Sequence, residues 1–124
     1  MADGVVASMR NDFKESATIS ANPDHAPHFA SGNFLAIRLS DSVYAFYEHL
    51  MPGSIPLKVG DKVRAGQVVA RVGFTGQASE PHLHFHLADR NSVLGAEGIP
   101  FTFKKFNHKG VFDGLKSICH YLGD

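Results

Sequence analysis

The chain has 124 residues, enough to bury one hydrophobic core and too few for two. Twelve Lys plus Arg balance twelve Asp plus Glu, so no basic surplus exists to neutralise a phosphate backbone, and a nucleic-acid partner is not expected. No apolar run approaches the roughly 20 residues that cross a bilayer, and Met1 to Arg10 lacks the basic start and apolar stretch of a signal peptide, so the expectation is a soluble chain without an export signal.

Cys119 is the single cysteine and is expected to behave as a small hydrophobe. Eight histidines are a high number for this length. Neutral imidazole ligates metals and carries protons near pH 7, so function is sought there.

In chain order, Gly4-Val5-Val6-Ala7 reads as a strand, and the polar stretch from Asn11 to Gly32, broken by Pro23 and Pro27, reads as a long surface loop. Phe34 to Leu39 and Val43 to His49 are β-rich runs joined by Ser40, Asp41 and Ser42, the pattern of an antiparallel hairpin. From Leu57 to Val72 a second hairpin is expected, hinged at Gly60 and Gly66. A turn bracketed by Gly73 and Gly76 follows. Pro81 then precedes His82-Leu83-His84-Phe85-His86-Leu87, whose polar and apolar alternation has the period of a strand. Phe101, Phe103 and Phe106 suggest a last extended segment, and Val111, Leu115, Ile118 and Leu122 fall at helical spacing. About seven short strands and one helix make the chain mainly β.

Alternation projects His82, His84 and His86 from one face of their strand, about 7 Å apart between successive members. Two imidazoles two residues apart on a rigid strand suit divided work: one binds a metal and the other moves a proton or binds a developing oxyanion. A half-exposed strand with polar residues outward has the same spacing, which does not separate the two readings. His49 shares a face with Tyr47 and Ala45 by alternation, and converges on the other histidines if its hairpin crosses the same sheet.

Tyr47-Glu48-His49-Leu50, then Val59-Gly60-Asp61-Lys62-Val63 through Gly66-Gln67, then Gly73-Phe74-Thr75-Gly76 and Pro81-His82-Leu83-His84-Phe85 resemble, in order and spacing, the lysostaphin-like zinc endopeptidases. The match extends from about Ala2 to Phe106. The resemblance implies a half-open antiparallel β-sandwich, of the barrel-sandwich type, to which the helical spacing noted above adds a short C-terminal helix. Residues 1–106 would form this β domain and residues 107–124 a helical tail. It further implies a groove for a peptide, typically a peptidoglycan fragment, with zinc activating water for amide hydrolysis. By position, His84 matches the zinc ligand, and His82 and His49 match the pair that assists proton transfer and stabilises the tetrahedral oxyanion.

The family's other two ligands lie in a His-x-x-x-Asp element upstream of the strand matched by Asp3 to Val6, where this sequence begins. The expectation is therefore a truncated or degenerate domain that lacks that segment, keeps the peptide groove and is weakly active or inactive alone. The alternative is an active zinc endopeptidase or amidase whose site is completed by other groups: His120 with Asp124, a literal His-x-x-x-Asp; Asp24, His25 and His28 of the long loop; or a partner chain. His86, which stands where many family members have Glu, is a secondary completion. A sheet edge left open by the missing segment favours a homodimer. The resemblance suggests the cell envelope or secretion. A third reading, a non-catalytic binding or phosphocarrier-like module, starts from Val59 to Gln67, which also looks like the hairpins of biotinyl and lipoyl carriers and of the glucose phosphocarrier.

Overall fold

A computed structural model describes residues 2–103 of the chain. Six strands, β1 (Gly4–Arg10), β2 (Asn33–Ser40), β3 (Val43–Leu50), β4 (Lys62–Val63), β5 (His84–Ala88) and β6 (Gly98–Ile99), form one open sheet in the order β4-β1-β2-β3-β5-β6. Every neighbouring pair is antiparallel. The mainly β expectation holds, and the C-terminal helix, with His120 and Asp124, lies outside the described residues.

The centre of the sheet is β2, because Phe34 to Ile37 is apolar at consecutive positions and so suits burial on both faces. Leu35, Ala36 and Ile37 are fully enclosed. On one face Leu35, Ile37, Val6, Leu50, Ile55 and Val63 pack together, with Tyr47 and Leu83 against them. On the other, Ala36, Phe46 and Ala88 pack with Phe34, Tyr44, Val93 and Ala96. Burying each large side chain here stabilises the fold by about 1.5–3 kcal/mol.

The expected second hairpin from Leu57 to Val72 is reduced to β4, which pairs with Gly4 and Val5 of β1. Two turns take up the surrounding backbone. Asp61 N–H donates to Lys58 O and Lys58 N–H to the Asp61 carboxylate, while Gln67 N–H donates to Arg64 O and Arg64 N–H to the Gln67 side chain. Only two residues between them remain for a ladder. Ile55, Leu57, Val69 and Ala70 nonetheless cover the first face as an irregular second layer. Gly60 and Asp61 also bond to Val6. The β1 edge is thus covered from Gly4 to Val6.

The long loop before β2 contains two 3-10 turns, Ile19–Ala21 and Pro27–Phe29, and is pinned to the turn after residue 73. Asn22 Nδ2 donates to the carbonyls of Gly76 and Ala78, both at 2.9 Å, and Gln77 N–H donates to Ala30 O at 2.8 Å. Gly32 (φ 61°) and Gly76 (φ 73°) meet at this crossing, where a Cβ on Gly76 would strike Ala30 O and Gly32 N. Backbone touches backbone there, which only glycine permits.

Candidate functional site

The β3–β5 register sets the site. Phe46 lies opposite His86, and Glu48 opposite His84, so these four side chains share the face of the sheet that carries Phe46. The His86 ring stacks on Phe46, with centroids 5.0 Å apart and planes 4° from parallel. Strand β5 starts at His84 rather than at His82, so the expected run is two residues shorter. The reason is local: His82 N–H bonds Gly73 O, and its ring Nδ1 turns back to Glu80 O at 2.8 Å.

Simple alternation would send His49 to the face of Tyr47, as expected from sequence, and into the apolar core. A β-bulge prevents this. Asn33 pairs with Leu50 and Leu35 with Tyr47, so three steps on β3 oppose two on β2. His49 absorbs the extra step with φ 61°, alone among the described non-glycine residues in adopting positive φ. Tyr47 and Leu50 stay in the core, while Glu48 and His49 both line the groove on the opposite side. Such backbone costs about 1–3 kcal/mol and persists where the surroundings enforce it. Here His49 N–H donates to Ser31 O, and His49 O accepts from Gly73 N–H.

Two imidazoles have their tautomers fixed. His49 Nδ1 lies 2.7 Å from Thr75 O and His82 Nδ1 lies 2.8 Å from Glu80 O. A carbonyl only accepts, so each Nδ1 carries the proton and each Nε2 keeps a free lone pair. The two rings are 4.8 Å apart, and His84 lies 6.0 Å from His49 and 5.5 Å from His86. Burial lowers the His49 pKa to about 4, with His82 and His84 adding to the effect against the Thr75 hydrogen bond. His84 and His86 are lowered too, by burial first and then by the adjacent imidazole. These three rings are therefore neutral at pH 7 and able to ligate a metal.

Glu48 is buried at 6% exposure, and burial pushes its pKa up to about 7. Among the described residues its Oε1 has no hydrogen-bond partner, and His86 Nδ1 stands 3.8 Å from it, too far for a hydrogen bond. The pair is not an ion pair, because burial drives both groups toward neutrality. An orphaned buried acceptor costs about 1–3 kcal/mol.

Among the described residues two trios bring their donor atoms within 4.8 Å of one another: His49, His82 and His84, and Glu48, His84 and His86. Imidazole nitrogens with a carboxylate oxygen are donors that suit a zinc-class ion, and the orphaned Glu48 oxygen fits a site for one. Asp24, His25 and His28 belong to neither trio; His25 instead packs edge-on to Phe13, and Asp24 meets Gln77. Their loop supplies Pro27, Ala30 and Ser31 to the wall of a groove of about 310 Å³, opposite Val93 and Leu94 and above Glu48, His49, His84 and His86. Glu48 was missed by sequence reading. Its signal was a carboxylate embedded in an apolar strand, Tyr44 to Tyr47, directly before a candidate histidine.

An antiparallel sheet thus floors a groove with neutral histidines and a buried carboxylate, a donor set that suits a metal ion. The family model described as Peptidase family M23 matches residues 1–95, and the chain belongs to that family. It is 39% identical over 79 residues to the glycyl-glycine endopeptidase ALE-1 of Staphylococcus capitis, covering 63% of this chain and 21% of that protein. It is 32% identical over 94 residues to the peptidoglycan DD-endopeptidase ShyA of Vibrio cholerae, covering 76% of this chain and 18% of that protein. The chain thus spans about a fifth of the length of these curated relatives. A zinc-containing peptidase from Vibrio cholerae superposes with a TM-score of 0.54 at 30% identity, over 78% of this chain and 24% of that one. A variant catalytic domain of the prophage-encoded M23 protein EnpA from Enterococcus faecalis gives 0.55 at 26% identity, over 80% and 62%.

Proposed function

We propose that the domain is a zinc-dependent endopeptidase that hydrolyses peptide bonds of peptidoglycan, acting at the cell wall, with His84 as a metal ligand and His49 and His82 as the proton-handling pair. The observation that carries this reading is the pair of imidazoles whose Nδ1 protons are committed to backbone carbonyls, beside His84. A zinc ion held at His84 would supply Lewis-acid polarisation and an acidified water.

The chain's own residues account for the rest. A peptide lies along the groove between the 27–31 loop and Val93 and Leu94. The Nε2 of His49, neutral because its pKa is held near 4, accepts a proton from the attacking water. The Nε2 of His82 is free to donate, once protonated, to the oxyanion or to the leaving amine. Their carbonyl partners keep both rings from rotating away and stabilise the charge that forms on protonation.

The test is incubation of the zinc-loaded chain with purified peptidoglycan and with a glycine-rich cross-bridge peptide, scoring new amino termini by mass spectrometry. Cleavage that disappears in His82→Ala supports the reading. Absence of cleavage of both substrates by a protein that holds zinc would sink it.

A further inference from the structure

Leu94 stands 63% exposed on the wall of the groove, in a fold that encloses Leu35 and Leu50. A single exposed leucine on a surface needs no explanation, but this one is held out by its loop. The loop after β5 is closed at its base, where Asp89 N–H donates to Glu97 O at 3.1 Å and Glu97 N–H to the Asp89 carboxylate at 2.9 Å. Within it Gly95 N–H donates to Ser92 Oγ at 2.8 Å, and Asn91 Oδ1 accepts from Ser8 Oγ at 2.7 Å. Val93 and Ala96, on either side of Leu94, pack inward against Ala36, Phe46 and Ala88. Leu94 is therefore fixed outward, and turning it into the core would break this anchorage.

Across the groove, Pro27 and Ala30 form the facing wall. That wall is also held, since Ala30 N–H donates to Pro27 O and Ala30 O accepts from Gln77 N–H. The walls carry no charge; the titratable groups of the groove, Glu48, His49, His84 and His86, lie on its floor.

We propose that Leu94 is a specificity-determining residue: with Pro27 and Ala30 it forms an apolar subsite that takes an alanine side chain of the bound peptide in preference to glycine. The inference rests on the functional reading that a peptide occupies this groove, and adds which residue the groove selects.

Glycine has no side chain and leaves Leu94 as exposed as before. A methyl group projecting from a backbone seated over the histidines reaches the wall, and apolar surface of both partners leaves water. A charged side chain would surrender hydration there without meeting a counter-charge. A large one finds no recess behind Leu94, where Val93 and Ala96 already pack on the sheet. Because the wall is fixed before the peptide arrives, little ordering cost offsets the contact.

The test is titration of the isotope-labelled chain, followed by nuclear magnetic resonance, with chelator present so that no cleavage intervenes. The probes are blocked pentaglycine and the same peptide with its central residue replaced by L-alanine or by D-alanine. One of the alanine peptides is expected to bind at least about fourfold more tightly than pentaglycine, the worth of one methyl group taken out of water. In Leu94→Ser the preference is expected to fall below about twofold. In Val68→Ser, which removes an 81% exposed side chain outside the groove, it is expected to persist. Equal affinity for the three peptides, or tightest binding of pentaglycine, overturns the assignment and leaves the peptide groove standing. A preference that survives in Leu94→Ser removes Leu94 as its cause, and equal loss in Val68→Ser makes it a general apolar effect; either overturns the proposal. No binding of any of the three defeats both this inference and the peptide groove on which it rests.

Discussion

His49 combines three features that separately are ordinary. It is buried, its Nδ1 is tied to a backbone carbonyl, and its backbone has positive φ. Together they fix the position, tautomer and charge of one imidazole, as a general base requires. His49→Ala is expected to lower peptide-bond hydrolysis by about 10²–10⁴-fold. A fall of less than tenfold in steady-state rates, with zinc still bound, would remove His49 from the chemistry. A different kind of residue is Asn33, wholly buried and structural. Its Nδ2 donates to Phe13 O and Leu50 O, and its Oδ1 accepts from Phe13 N–H. Asn33→Ala leaves those groups unpaired and is expected to cost about 2–4 kcal/mol in urea unfolding.

At the scale of elements, the site depends on a bulge and a crossing, and neither was legible in the sequence. The hairpin of β2 and β3 and the His84-to-Ala88 strand were legible, because their alternation or apolar runs have only one β reading. The bulge was not, because a histidine with positive φ has no sequence signature and glycine is the usual occupant of such a position. Without it the expected face for His49 was the wrong one. Glu48 was hidden for a related reason: it stands between Tyr47 and His49 in the matched run, and only the register with His84 gives it a role. The turns at 58–61 and 64–67 looked like hairpin hinges, since the glycines that allow a hinge equally allow an isolated turn. The crossing of Gly32 and Gly76 is the second device, and it sets the carbonyl of Thr75 that holds His49. Gly76→Ala forces both a strained φ and a backbone clash. It is expected to destabilise the fold by more than about 2 kcal/mol, and to lower activity even at temperatures where the variant is fully folded. Full activity in the folded variant would show that the crossing does not position the ring.

For the whole molecule, the site sets a conflict between stability and function that metal relieves. A group whose folded pKa is raised favours folding below its unfolded pKa and loses that contribution as pH rises through the folded value. Glu48, with an unfolded value near 4.5 and a folded one near 7, is such a group. His49 has the opposite sign: its folded value of about 4 lies below 6.5, so its contribution is complete above pH 6.5 and lost as pH falls through 4. In metal-stripped protein the two slopes oppose each other between about pH 4.5 and 6.5. Glu48→Gln removes one of them. The stripped variant is therefore expected to gain on the stripped parent as pH rises from 4.5 to 7, by up to about 3 kcal/mol, from urea unfolding at each pH. A difference independent of pH would mean that the Glu48 carboxyl titrates normally. Zinc at one hundred times its dissociation constant adds about 2.7 kcal/mol to any folded state that binds it. An ion held against Glu48 would also take up the charge that burial penalises, so a chelator is expected to lower the parent's midpoint of thermal unfolding by about 10 °C and that of Glu48→Gln by much less. Equal shifts in the two proteins would place the stabilising ion away from Glu48.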